Sequence, residues 1–339
     1  MNKIANTIAT AIFLCLCIFF CTDPSFFVGI GSKLTWMIDK NSYNHIGIYF
    51  YDNDYIITPN PKTSTDYEYN QLLLLKKRLD SEGINLIYVN KPTKYLDDSI
   101  FYDQKTESFC NDNADRLLER LDTAEINYLD LRQEIKNDGL DIYQMFYRTD
   151  HHWTVPTAKW AAAKIARSLN EFCGYDIDPH IYDDVNYDFK ITENAWLGEQ
   201  GRKFEGSGLK YDDYTLVTPK FETKYIADNE EGDFTDLFIE DVNACSHYNY
   251  SSKSCTNLNA DHGKILFLGD SYDVVTEPFL SLGVHSIDIL TVRNTHSENF
   301  YDEYIHDKGY DTVIVCYAAF MIGAHDDPNS ANHEMYNFV

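Results

Sequence analysis

Apolar and polar residues alternate along this chain in two rhythms, and each rhythm predicts one kind of element. Short runs such as 264–268 are almost wholly apolar, as expected for strands that are buried on both faces. Longer stretches repeat Leu or Ala every three or four residues, as expected for helices with one buried face. The pattern predicts strands at 46–51, 84–89, 126–131, 264–268, 286–292 and 311–317, and helices at 64–82, 112–123, 155–172, 274–282 and 299–308.

Strands and helices that follow one another with short connections predict an α/β fold, with a mainly parallel sheet covered by helices on both faces. Residues 175–262 depart from this rhythm, because they are rich in Asp, Tyr, Asn, Gly and Thr and show few helical periods. We therefore expect an irregular β-rich insertion there that covers one end of the sheet. Residues 46–339 would form the α/β domain that contains this insertion.

The beginning of the chain resembles a targeting segment. Lys3 is the only early charge, residues 8–21 are uncharged and rich in Ile, Phe, Leu and Cys, and Asp23 and Pro24 follow this run. Such a run is short for a membrane span, which needs ~20 residues, and is typical of a signal peptide. We predict a signal peptide or a short signal anchor at 1–22, a connector at 23–45, and export of the protein; a buried core helix is the alternative.

Composition narrows the partners. The formal net charge of -26 would repel phosphate backbones, so nucleic acid is not an expected partner. The 26 tyrosines suit carbohydrate surfaces, although compositional bias is the simpler explanation. Cys245 and Cys255 lie close together in a polar stretch where a disulfide is possible, and Cys316 is expected to be a buried thiol. The cysteines and histidines lack zinc-like spacing and side chains of adjacent histidines tend to point apart, so neither a metal nor a cofactor is predicted.

Two distant segments together offer a nucleophile, a base and an orienting carboxylate. Ser271 follows Gly269 and Asp270 directly after a predicted strand, where sites of α/β sheets are found. Asp150 and His152 are spaced so that the carboxylate can bond one ring nitrogen while the other faces outward as a base. Taken singly, the segments also fit a serine that caps a turn and a histidine that packs against its neighbour.

The second segment carries a family resemblance. Residues 147–154 read YRTDHHWT and resemble the signature of the bacterial DHHW family, which is similar to the SGNH hydrolases and in particular to the periplasmic alginate O-acetylation proteins. In those proteins a Thr-Asp-x-His-Trp segment precedes a Gly-Asp-Ser segment, as it does here, whereas common SGNH enzymes have the reverse order. Residues 90–94, 206–208 and 288–293 match more loosely. The resemblance implies an SGNH-hydrolase-like (flavodoxin-like) fold with a circularly permuted motif order.

The resemblance also implies roles for individual residues. Ser271 would be the nucleophile, His152 the base and Asp150 the residue that orients it. The adjacent His151 would orient the base or contact substrate. The remaining candidates for binding a substrate oxygen or an oxyanion are Arg293, Tyr317 and, more weakly, Asn294, because the usual SGNH oxyanion donors have no clear counterpart.

These roles imply an exported O-acetyltransferase that modifies a cell-surface or secreted polysaccharide through an acetyl-serine. An exported transferase cannot reach cytosolic acetyl-CoA, so the resemblance also implies a membrane-bound O-acyltransferase partner that supplies acetyl groups. Two alternatives stay open: a carbohydrate acetylesterase that uses the same triad, and a noncatalytic polysaccharide-binding or assembly protein.

Overall fold

The computed structural model describes residues 47–51, 54–205, 208–227, 229–237 and 254–338. Its central feature is an eight-stranded mixed sheet with the order β4-β3-β12-β10-β11-β9-β7-β8. The strands in chain order are β1 Tyr49–Tyr51, β2 Tyr55–Ile57, β3 Asn85–Lys91, β4 Tyr128–Asp130, β5 Tyr187–Trp196, β6 Asp212–Pro219, β7 Tyr225–Ala227, β8 Glu230–Gly232, β9 Ser254–Asn257, β10 Lys264–Leu268, β11 Ser286–Leu290 and β12 Thr312–Ala318.

Five neighbouring strands, β4, β3, β12, β10 and β11, run parallel, as the alternating pattern predicts. The α-helices are α1 Asp66–Glu82, α2 Cys110–Thr123, α3 Leu131–Asp138, α4 Ile142–Met145, α5 Val155–Cys173, α6 Glu199–Arg202, α7 Glu277–Ser281 and α8 Phe300–Tyr304. β12 is buried along its whole length, and α1 turns Leu72, Leu75 and Leu79 into the core. The predicted α/β fold with a mainly parallel central sheet is thus confirmed.

The structure corrects several element boundaries. The predicted helix 274–282 is a 3-10 turn at Asp273–Val275 followed by α7, because Pro278 lacks an N–H and fits only the first turn of a helix. The predicted strand 126–131 ends at Asp130, whose carboxylate accepts the N–H of Arg132 and caps α3. The predicted helix 299–308 is limited to α8.

The insertion does more than cover the sheet. β5 and β6 pair as an antiparallel hairpin outside the large sheet. β9 instead pairs antiparallel with β11, and β7 and β8 extend the same edge. Residues 175–262 are therefore β-rich as predicted, but they also lengthen the sheet by three antiparallel strands.

Several predictions fall on residues that the structure does not describe: the signal segment 1–22, the connector 23–45, Cys245 of the proposed disulfide and residues 206–207. Cys316 is buried with its thiol free, as predicted. Within the described ranges, none of the helices combines the length and the apolar character that a membrane crossing requires.

Candidate active site

The turn that carries Ser271 is built on buried charges. Lys91, at the end of β3, places its Nζ atom 2.6 Å from Oδ1 of Asp270 and also bonds Asp273. Asp270 Oδ1 accepts the N–H of Tyr272 at 3.0 Å, and Oδ2 accepts the N–H of Ala318 at 2.9 Å. The residues on both sides of Ser271 are therefore fixed to β3 and β12.

Lys91 keeps its charge although it is buried. Burial alone would lower the pKa of Lys91, but the carboxylates of Asp270 and Asp273 hold that pKa above its ordinary value. Burial raises the pKa of Asp273 to about 7, and it raises the pKa of Glu277 well above the usual range. A Cβ at Gly269 would lie 2.9 Å from carboxylate oxygens of both acids, so glycine lets the chain pass between them.

The loop with Asp150 and His152 is a tight reversal before α5. Phe146 and Trp153 pair across it as an isolated antiparallel bridge. Residues from the insertion hold its outer side: Asp212 accepts the N–H of Thr149 at 2.9 Å, and Gly201 donates to the carbonyl of Thr149 at 2.7 Å. The insertion thus positions the loop from which the base projects.

The two segments meet in a hydrogen-bonded line of three side chains. His152 Nδ1 lies 2.9 Å from Asp150 Oδ1, and His152 Nε2 lies 2.8 Å from Ser271 Oγ. Burial alone would raise the pKa of Asp150, but the hydrogen bond and the charge of His152 hold that pKa well below its usual range. Asp150 is completely buried, whereas Ser271 is partly exposed. A hydroxyl, an imidazole and a carboxylate in this order can deprotonate the hydroxyl for attack on an acyl group.

Two further hydrogen bonds join the same segments. Trp153 Nε1 donates to the carbonyl of Tyr272 at 2.9 Å, and the Tyr272 hydroxyl donates to the carbonyl of His151 at 2.5 Å. These bonds flank the contact between His152 and Ser271 and restrict the relative movement of the two loops.

The side chain of His151 corrects an expectation. Its ring centroid lies 3.9 Å from that of His152, and its Nδ1 atom lies 3.3 Å from the same Asp150 oxygen, so the adjacent histidines do not point apart. In the described part of the chain, two groups of side chains each bring three potential metal ligand atoms to within 4.8 Å of one another. One group consists of Asp150, His151 and His152, and the other, on the surface, consists of Glu82, His306 and Asp307. At the first group, the Asp150 oxygen already serves both imidazoles.

A wide cavity of about 420 Å³ opens in front of Ser271. We refer to it as the wide cavity. Arg293 reaches it and donates to Oδ1 of Asn332, and Lys94 lies in its wall, where burial lowers the pKa of the ammonium to about 7. Its lining consists of Ile56, Ile57, Thr58, Asn60, Thr93, Lys94, Tyr95, His151, Glu199, Gln200, Ser271, Tyr272, Arg293, Phe320, Met321, Ala331 and Asn332.

The predicted substrate-contacting residues separate into two groups. His151 and Arg293 line the wide cavity. Tyr317 is completely buried and its hydroxyl donates to the carbonyl of Met335 at 2.8 Å, which leaves no surface for a substrate and corrects its assignment. Asn294 is exposed in the 3-10 turn Val292–Asn294 and is not among the described residues that line the cavity.

Sequence reasoning missed Asp212, Gly198 and Asn332. Asp212 holds the loop of the base, Gly198 packs against Asp150, and Asn332 bonds Arg293. None of the three belongs to a recognised motif or to a predicted strand or helix, so their sequence context gave no signal. Lys94 lies in the looser match at 90–94, which predicts no role for it.

Comparison with known proteins supports the architecture. Residues 49–184 match the family model described as SGNH hydrolase-like domain, acetyltransferase AlgX. This match contains Asp150 and His152 and ends before Ser271. Comparison with curated proteins gave no match.

Several solved structures share the fold. Bacillus cereus PatB1 with a sulfonyl adduct superposes with a TM-score of 0.65 at 18% sequence identity, covering 86% of this chain and 98% of that one. A DHHW family protein from Eubacterium siraeum gives a TM-score of 0.60 at 17% identity, covering 84% and 93%. The O-acetyltransferase domain of Pseudomonas putida AlgJ gives 0.51 at 14% identity, covering 86% and 99%. Residues 49–184 are therefore similar to an SGNH hydrolase-like domain, and the fold resembles those of PatB1, of a DHHW family protein and of the AlgJ domain, as the motif predicts.

Proposed function

We propose that this protein is an exported O-acetyltransferase that acetylates a hydroxyl group of a cell-surface or secreted polysaccharide. The observation that carries the proposal is the contact of 2.8 Å between His152 Nε2 and Ser271 Oγ at the edge of the wide cavity. The matched family model is described as an acetyltransferase, and the AlgJ structure as an O-acetyltransferase domain, which supports the same reaction class.

The arrangement supports a two-step transfer. In the first step Ser271 Oγ attacks the carbonyl carbon of the acetyl donor, His152 Nε2 takes the serine proton, and the bond to the donor oxygen breaks as that oxygen receives the proton. In the second step a sugar hydroxyl gives its proton to His152 and attacks the acetyl carbon. The bond to Ser271 Oγ then breaks, and the serine recovers the proton.

The wide cavity supports a carbohydrate acceptor. A volume of about 420 Å³ lies within the range of ligand sites, roughly 300–1,000 Å³. Its polar side chains, including Arg293, Asn332 and Gln200, can bond sugar hydroxyl groups. An exported transferase cannot reach cytosolic acetyl-CoA, so we propose that a membrane-bound O-acyltransferase partner passes acetyl groups outward to it.

Activity on a chromogenic ester tests the proposal. The full-length protein should release nitrophenol from nitrophenyl acetate, and Ser271→Ala should lower kcat/KM by at least roughly 10³-fold. Ser81→Ala is the matched control, because Ser81 is exposed and its hydroxyl donates to the carbonyl of Arg78 near the end of α1. Absence of turnover, together with absence of an acetylated Ser271 in mass spectra, would instead support a noncatalytic binding protein.

A second arm separates transfer from hydrolysis. Oligosaccharides are added to the same reaction, and the products are analysed by mass spectrometry. An acetylated sugar supports the transferase, whereas free acetate as the sole product supports a carbohydrate acetylesterase with water as acceptor.

A further inference from the structure

A second and much smaller cavity also reaches Ser271. It has a volume of about 20 Å³, and we refer to it as the narrow cavity. Among the described residues, the two cavities share Ser271 and Tyr272 in their linings. His152 borders the narrow cavity, whereas His151 borders the wide one. Ser271 therefore lies between the wide cavity, which is large enough for a sugar, and the much smaller narrow cavity.

The walls of the narrow cavity are aromatic or branched aliphatic. Val274 and Val275 follow directly on the turn of Ser271. Trp196 and Tyr214 come from the β5–β6 hairpin and stack at 5.7 Å, and Tyr147 stacks on Trp196 at 5.1 Å. Trp153 and Val155 complete the wall, and both are almost completely buried. A hydroxyl-rich group would lose its hydration among these side chains, whereas a hydrocarbon group would gain by burial.

The volume restricts the occupant further. A space of about 10–15 Å³ holds one water-sized group, so a space of about 20 Å³ matches the size of a single methyl group. A methyl group attached to the carbonyl carbon on Ser271 Oγ is the chemical group that meets both limits of size and polarity. A longer acyl chain would have to displace closely packed aromatic rings.

We propose that the narrow cavity is the acyl subsite, and that it limits the protein to two-carbon acyl groups. This inference rests on the proposed function. The methyl group of the acetyl-serine lies between Val275 and the rings of Trp196 and Tyr214, and the acceptor approaches the carbonyl carbon from the wide cavity. The insertion therefore contributes to acyl selection as well as to the position of the base.

A series of nitrophenyl esters with acyl chains of increasing length tests this inference on the full-length protein. kcat/KM is measured for nitrophenyl acetate, propionate and butyrate, and each added methylene should lower it roughly 10- to 100-fold. Val275→Ala removes two methyl groups from the wall and should raise the ratio of kcat/KM for propionate to kcat/KM for acetate about tenfold. Phe320→Ala is the matched control in the wide cavity and should leave the acetate-to-propionate ratio unchanged.

The second variant, Val275→Leu, adds a methylene group that fills part of the narrow cavity and should lower acetate turnover more than tenfold. Methanesulfonyl fluoride gives an independent measurement, since Ser271 Oγ forms a bond to sulfur, fluoride leaves, and His152 takes the proton. Mass spectra should show that Val275→Leu slows this reaction, whereas Val185→Leu, at an exposed position of the insertion that lines neither cavity, does not.

Three results would overturn the acyl subsite: equal kcat/KM for the three esters, a ratio that shifts as much in Phe320→Ala as in Val275→Ala, or unchanged sulfonylation of Val275→Leu. These outcomes leave the transferase intact. Absence of turnover with every ester would overturn the proposed function, and the acyl subsite with it.

Discussion

The carboxylate of Asp212 accepts both the backbone N–H and the hydroxyl of Thr149, at 2.9 Å and 2.6 Å. Asp212 begins β6 of the insertion, and Thr149 precedes Asp150. The same carboxylate accepts the N–H of Arg148 at 3.1 Å and its Nε–H at 2.9 Å. One buried side chain of the insertion therefore determines where the loop of the base lies.

Replacing Asp212 should loosen this loop. Asp212→Asn removes a charge that faces Arg148 and mismatches at least one donor, so we expect the free energy of unfolding to fall by roughly 1–3 kcal/mol. Esterase activity should fall as well, because Asp150 would no longer be held beside His152. Urea unfolding and nitrophenyl acetate turnover measure the two effects.

The adjacent Asp213 provides the control. It is exposed and accepts the backbone N–H of Asn194 at 2.8 Å. Asp213→Asn should change stability by no more than about 0.5 kcal/mol and leave kcat unchanged. Equal effects of the two substitutions would show that Asp212 has no special role.

Gly198 lies against the carboxylate that orients the base. A Cβ at this position would come within 2.2 Å of Asp150 Cβ and 2.4 Å of Oδ2. Gly198→Ala must therefore shift Asp150, and a displacement of about 1 Å at a catalytic group costs on the order of 10²-fold in rate. We expect kcat/KM for nitrophenyl acetate to fall by about that factor.

Gly174→Ala is the comparison for Gly198→Ala. Gly174 has a φ of 72° at the end of α5, and a Cβ there would meet no atom within 4 Å. The substitution should cost about 1 kcal/mol of stability through backbone strain while kcat stays unchanged. If Gly198→Ala lowers stability alone in the same way, Gly198 does not position Asp150.

The sequence predicts the strands that carry the site because their burial leaves a strong pattern. β10 has the predicted bounds, since every residue from Ile265 to Leu268 is buried and must be apolar. α5 follows its predicted stripe because Ala158, Ala162 and Ile165 face the core. The position of Ser271 and of Asp150 with His152 follows from these elements, since each lies directly beside one.

The remaining parts depend on contacts that leave no local pattern. Asp212 and Gly198 contact the loop of the base only in the folded protein. Their neighbours in sequence do not differ in composition from the rest of the insertion, so nothing local marks either residue. β2 has three residues, which are too few to show a period. Lys94 joins this strand to the loop of the base through bonds to the carbonyl groups of Ile56 and Arg148, and such a contact leaves no pattern in the sequence. The adjacent histidines face one carboxylate because the reversal at 148–152 is tight, which spacing alone does not reveal.

The buried ion cluster beneath Ser271 should be essential for folding. Lys91→Met would leave Asp270 and Asp273 buried without their cation, and loss of one partner of such a pair costs roughly 3–5 kcal/mol. Lys76→Met is the control, because the pair of Lys76 and Asp80 on α1 is partly exposed and worth about 0.5 kcal/mol. Urea unfolding of both variants measures the difference. Similar losses would contradict the importance of burial.

His151 should make the protein sensitive to acid. Burial, reinforced by the charge of His152, lowers the pKa of His151 from 6.5 to about 3. Below about pH 6.5 the unfolded chain therefore binds a proton that the folded protein does not bind until near pH 3, so the folded state loses stability as pH falls through this window. From pH 7 to pH 5 this loss amounts to about 1–2 kcal/mol.

His151→Gln should remove that loss, so its free energy of unfolding in urea should change less between pH 7 and pH 5 than that of the wild-type protein. The exposed His180 is the control with the opposite sign. Its hydrogen bond with Asp183 raises its pKa, and its contribution is present at low pH and lost as pH rises. His180→Gln should therefore not reduce the acid sensitivity. An identical pH dependence of wild type and His151→Gln would mean that His151 binds its proton equally well in the folded and unfolded states.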